Sequence, residues 1–141
     1  MAAGCKFATA RRFPEADEVI VEWPQAYLAR AGKDLGPRDA VCVLTHDHKF
    51  DVPAIVAALV TRVGYLGAMG SRRTHAGRLE RLGAAGVDET ALARLMAPIG
   101  IDIGARTPEE TAIAICAEII ASRTGITVPS LRRGEGPIHP R

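Results

Sequence analysis

The chain has 141 residues, 48% of them hydrophobic and 24% charged, with a formal net charge of +2. That length makes about one domain, and the composition is that of a folded chain rather than a disordered one. Aromatics at 4% argue against a base-stacking surface, and so small a charge gives no reason to expect a nucleic-acid partner.

Residues 1–18 are polar and irregular. Val19-Ile20-Val21 reads as a short strand before Trp23-Pro24, and residues 25–31 as one or two helical turns broken by Gly36-Pro37. Ala40-Val41-Cys42-Val43-Leu44 is an unbroken apolar run, the pattern of a parallel strand covered on both faces. Asp51 and Pro53 then open a helix to about Thr61, with Asp51 as its cap. Val63 to Ala68 is the next strand, and Ser71 caps a helix ending near Gly83. On that helix Leu79 and Leu82 are expected inward, and Arg72, Arg73, Arg78 and Arg81 solvated. Asp88 caps a short helix, with Val87 and Leu92 at the spacing of a hydrophobic staple. Ile99 to Ile103 alternates like a strand. Thr107-Pro108-Glu109-Glu110 is a capping box opening a helix to about Thr124, with Gly125 following it. Ala112, Ile113, Ile115, Cys116, Ile119 and Ile120 make that helix apolar around most of its girth, which predicts deep burial. Residues 126–141 read as a flexible basic tail.

Strands and helices alternate, so the expected fold is α/β: a three-layer, Rossmann-like parallel sheet with helices on both faces. No apolar run approaches the roughly 20 residues that cross a bilayer, so no membrane partner is expected. The start, Met1 to Lys6, has no apolar stretch of a signal peptide. Cys5, Cys42 and Cys116 are odd in number and far apart, forming neither a disulfide framework nor a C-x-x-C knuckle. Cys42 and Cys116 read as core residues, and a reducing cytoplasm is the compartment that fits.

Ligands of such sheets sit beyond the carboxyl ends of the strands. Three loops reach that edge: 45–51, 67–74 and 102–108. In the second, Gly67 and Gly70 let backbone approach a ligand closely, while Ser71, Arg72, Arg73 and Thr74 surround a helix N-terminus. Free amides, a favourable dipole and two guanidinium groups suit a phosphate or another anion. The plain alternative is a tight turn with solvated arginines. In the first loop Thr45, His46 and Asp47 are ligand contacts by position; with no third His or Cys at ligand spacing, a metal site is not expected. In the third, Asp102 and Arg106 are candidates beside a well-capped helix. No nucleophile elbow or Ser-His-Asp arrangement is visible, so no catalytic residue is assigned.

Three segments together carry a resemblance. Val41-Cys42-Val43-Leu44-Thr45-His46-Asp47, Tyr65 through His75 (with Gly67-Ala68-Met69-Gly70-Ser71-Arg72-Arg73-Thr74 at its centre) and Pro98 through Glu110 resemble the C-terminal Rossmann-like domain of the XdhC/CoxI family. Phe7-Ala8-Thr9 and Arg12-Phe13-Pro14 through Trp23-Pro24 extend the likeness, which covers about residues 6–125. The resemblance implies a maturation factor for xanthine dehydrogenase and related molybdenum hydroxylases. Such a factor holds the molybdenum cofactor, shields it while its sulfido ligand is installed, and passes it to the apoenzyme. A sulfur-donating desulfurase is the implied second partner, and the role is that of an accessory protein rather than an enzyme.

The family domain normally begins with a strand, a Gly-rich turn, a helix and a second strand, and this sequence is expected to lack that unit. No G-x-G-x-x-G is present, which leaves NAD(P) binding as the alternative reading without its fingerprint. An open strand edge is expected to promote a homo-oligomer. A non-catalytic, self-associating remnant of the family is the remaining alternative.

Overall fold

A computed structural model describes residues 8–128, 132 and 138. Its elements are α1 (Pro24–Ala31), β1 (Ala40–Val43), α2 (His48–Leu59), β2 (Tyr65–Ala68), α3 (Arg72–Ala84), α4 (Glu89–Leu92), β3 (Leu95–Met96) and α5 (Pro108–Thr124), with a 3-10 turn at Gly32–Asp34. The strands form one parallel sheet in the order β1-β2-β3. Ala40 pairs with Tyr65 and Val43 with Ala68, while Leu66 pairs with Leu95.

Strand alternation sorts side chains to two faces. Val43, Leu66, Ala68 and Leu95 meet Leu28 of α1, Ala54, Ile55 and Ala58 of α2, and Leu82 of α3 in the larger core. On the opposite face Tyr65, Cys42 and Met96 meet Ile115 and Ile119 of α5, with Ile99 between. Helices therefore cover both faces, and the expected Rossmann-like α/β architecture is the one observed. Central β2 is buried along its whole length; β1 is a half-buried edge strand rather than one covered on both sides.

Capping follows the sequence closely. Ser71 Oγ accepts from the Thr74 amide, Asp88 Oδ1 from the Ala91 amide, and Thr107 Oγ1 from the Glu110 amide. Glu110 answers by accepting from the Thr107 amide, which completes the capping box. Gly125 ends α5 at φ 72°, the left-handed conformation that glycine takes without steric cost.

Five further expectations fail. Val19–Val21 forms no strand, because no described strand lies beside it, and Val21 is exposed. Asp51 is not the cap of α2: the helix starts a turn earlier, with Asp47 accepting from the Lys49 amide, and Asp51 is fully buried. Residues 99–103 do not run as a strand. The Ile99 amide still reaches the Ala68 carbonyl, but Gly100 turns at φ 103° and the chain leaves the sheet. From there the Gly100 and Ile101 amides bond to Glu118 and to the Ala114 carbonyl of α5, so the third strand is the short β3 upstream. Leu79 points outward, and Arg78, expected in solvent, is the largest fully buried side chain. Finally, α5 buries only Ala114, Ile115 and Glu118, while Ile113 and Ile120 are about 60% exposed and Cys116 is exposed too. One face of α5 packs on the sheet, and nothing among the described residues covers the other.

Candidate functional site

Strand β2 ends at Ala68 and delivers the chain into Met69-Gly70-Ser71, the turn that opens α3. Gly70 sits at φ 144°, and a Cβ there would press on the Thr74 side chain at 3.2 Å. Such a conformation favours glycine. The Ser71 hydroxyl caps α3 and lies 2.9 Å from the Thr74 hydroxyl. This turn is a wall between two clefts.

The first cleft, about 560 Å³, is lined by Met69, Gly70, Ser71, Arg72 and Arg73 on one side. Its other side is mostly apolar, with Pro98, Ile99, Ile101, Ile103, Ala114 of α5 and Ile138, and it also carries Asp102 and Thr111. The second cleft, about 640 Å³, shares Gly70, Ser71 and Arg73, and adds His46, His48, Thr74 and Arg81. Arg73 therefore borders both, and the head of α3 presents amides and positive dipole to each. The combination is a largely apolar cleft with the N-terminus of α3 and two arginines along one side.

Of the residues singled out from sequence, Gly70, Ser71, Arg72, Arg73 and Asp102 line the first cleft. His46 and Thr74 line the second. Thr45 and Asp47 are spent locally: Thr45 Oγ1 accepts from the Asp47 amide at 3.1 Å, and Asp47 caps α2. Arg106 lies beside the capping box, where its amide donates to Glu110 Oε2. Gly67 is buried in β2, and the space of a Cβ is already taken by Ile99 Cδ1 at 2.5 Å. Its small size serves sheet packing, not an approach to a ligand.

Sequence reasoning missed the support behind this turn. Arg78 of α3 and Asp51 of α2 are both fully buried. Arg78 Nε and Nη2 donate to Asp51 Oδ2 at 3.1 and 2.9 Å, and Nη2 also donates to the Met69 carbonyl at 2.7 Å. Asp51 Oδ1 lies 4.0 Å from Nδ1 of the half-exposed His48. A second buried carboxylate, Glu118, accepts from the Tyr65 hydroxyl at 2.6 Å and from the Gly100 amide at 2.9 Å. Burial, then the hydrogen bond to Glu118, drives the Tyr65 phenol well above its ordinary range. Burial, Arg78 and Arg132 together hold the His75 imidazole below its ordinary value. The Cys42 thiol is raised, chiefly by burial, which disfavours a reactive thiolate. No group of three or more His, Cys, Asp or Glu could hold a metal among the described residues. No described helix is long and apolar enough to cross a membrane.

The tail expected over 126–141 lies mostly outside the described residues. Two of the residues beyond 128 are described: Arg132 Nη1 lies 3.8 Å from the Met96 sulfur, and Ile138 lines the first cleft.

Comparison with known proteins agrees with this architecture. The chain is 32% identical over 122 residues to a Bacillus subtilis protein named as a probable xanthine dehydrogenase subunit, covering 86% of this chain and 34% of that protein. It is 35% identical over 97 residues to the molybdenum cofactor insertion chaperone PaoD of Escherichia coli, covering 69% of this chain and 30% of that one. The chain thus spans about a third of the length of these relatives. A crystal structure of a xanthine dehydrogenase from Bacillus halodurans superposes with a TM-score of 0.66 at 30% identity, over 85% of this chain and 33% of that one. Residues 2–119 match the family described as the XdhC Rossmann domain. The resemblance read in the three loop segments is therefore the true one: this chain belongs to the XdhC Rossmann domain family.

Proposed function

We propose that the chain binds the molybdenum cofactor and assists the maturation of xanthine dehydrogenase-type molybdenum hydroxylases. The observation that carries this reading is the Gly70–Arg73 turn, which sets an anion seat at the mouth of an apolar cleft. A relative named as a molybdenum cofactor insertion chaperone supports it.

The residues fit such a group. The cofactor carries a phosphate on a fused ring system. Helix amides and guanidinium groups at Ser71, Arg72 and Arg73 suit the phosphate. Ile99, Ile101 and Ile103 offer a dry wall for the rings, and about 560 Å³ lies within the range of small-ligand sites. When bound, the cofactor supplies the metal centre that the target enzyme uses. This chain's own part is to bind, orient and exclude water. His46 and Asp102 border the same edge as polar contacts, and no residue is assigned a catalytic role.

Within this proposal the partners are an apo molybdenum hydroxylase and a sulfur-donating desulfurase, and the setting is the cytoplasm. The outer edge of β1, unpaired among the described residues, favours pairing with a second copy. Sedimentation is expected to show a dimer; a monomer at high concentration contradicts that part.

Parallel titrations of the purified protein with molybdenum cofactor and with NADPH test the proposal. Cofactor is expected to bind and NADPH not to. Binding of NADPH alone would favour the dinucleotide reading and defeat this one.

A further inference from the structure

We propose that Arg78 is the positioning residue of the anion seat: it holds the Met69–Ser71 turn in shape from behind without touching the ligand. The proposal rests on the reading of that turn as a ligand seat. Arg78 lines neither cleft and is fully buried. Its Nη2 nevertheless donates to the Met69 carbonyl, two residues before the Ser71 cap. The turn closes directly over the guanidinium, for a Cβ on Gly70 would stand 3.5 Å from Nη2. Asp51 of α2 accepts from Nε and from the same Nη2 through its Oδ2.

Stability alone does not account for this pair. A buried ion pair gives up its hydration, and apolar residues of similar volume often serve the fold equally well. What apolar residues cannot supply is a donor to the Met69 carbonyl. That bond ties the end of β2 to both α2 and α3, and it sets where Ser71, Arg72 and Arg73 begin. Binding sites need such placement to hold within about 0.5 Å. The planar fork of arginine can serve a carboxylate and a carbonyl at once in fixed directions, which a lysine point charge does less well.

The test replaces the pair without stranding a charge, as Asp51→Leu with Arg78→Met, and measures Arg78→Lys beside it. The primary readout is amide hydrogen exchange at two reporters of the turn. The Met69 amide bonds to the Val43 carbonyl at 2.9 Å, and the Thr74 amide to Ser71 Oγ at 3.1 Å. The Glu110 amide, on Thr107 Oγ1 at the head of α5, is the reference. Exchange at Met69 and Thr74 is expected to rise roughly tenfold in the double variant and less in Arg78→Lys, with Glu110 unchanged. Molybdenum cofactor affinity is expected to fall by about tenfold alongside.

Wild-type exchange at both reporters in whichever variant folds overturns the proposal; Arg78→Lys serves where the double variant does not fold. Cofactor bound equally by wild type and a folded variant also overturns it. A wild type that binds no cofactor, with the reporters still released in the variants, defeats the functional reading and supports the tether.

Discussion

The Arg78 guanidinium and the Asp51 carboxylate meet at 2.9 Å with neither side chain exposed to solvent. A buried pair of this kind is costly to break from one side, because the remaining charge is left without its counter-ion. Asp51→Ala should therefore destabilise the fold by about 3–5 kcal/mol, whereas the paired apolar replacement should cost far less. Urea denaturation of the two variants checks this; equal losses would show that the cost lies in packing rather than in a stranded charge.

Tyr65 and Glu118 join β2 to α5 on the opposite face of the sheet, at 2.6 Å. Tyr65→Phe removes a hydrogen bond to a buried carboxylate and should cost about 1.5–3 kcal/mol. The phenol also has a signature in alkali. Its folded pKa is raised, so the unfolded chain releases that proton first. The resulting stability is complete below the ordinary tyrosine range, about pH 10, and is lost as pH rises above it. Stability curves above that point should be steeper for wild type than for Tyr65→Phe, and parallel curves would contradict the assignment.

His75 titrates in the opposite sense. Burial and the nearby Arg78 and Arg132 lower its folded pKa. Between the folded and unfolded values the unfolded chain binds more protons, so stability rises with pH across that window. It is complete above the ordinary histidine value, about 6.5, and falls as the solution is acidified through the lowered one. Comparing urea midpoints at about pH 7.5 and pH 5.5 should show a larger acid loss for wild type than for His75→Gln. An equal loss would mean that other groups carry the acid sensitivity.

The sequence made most of the local structure readable, because local structure is set by neighbours in the chain. Ser71, Asp88 and Thr107 cap the helices they were expected to cap, since each hydroxyl or carboxylate bonds an amide three residues on. The apolar runs at 40–44 and 63–68 contain β1 and β2. The errors lie where a distant partner decides. Arg78 and Asp51 are 27 positions apart, and nothing in either neighbourhood distinguishes a buried arginine from the solvated ones beside it. Ile113 and Ile120 promised burial, but a helix on a three-stranded sheet covers only the face turned toward it. The site divides the same way. Gly70, Ser71, Arg72 and Arg73 were legible as a helix head, while the apolar wall of Ile99, Ile101 and Ile103 was read as strand and not as lining.

The account stands most directly on the two guanidinium groups at the head of α3. Titrating wild type and an Arg72→Ala/Arg73→Ala variant with molybdenum cofactor measures their share. Loss of charge-assisted hydrogen bonds to a phosphate should weaken binding by about tenfold or more while the fold survives, since Arg73 is exposed and neither side chain belongs to the core. Equal affinity in the two proteins would contradict the anion seat.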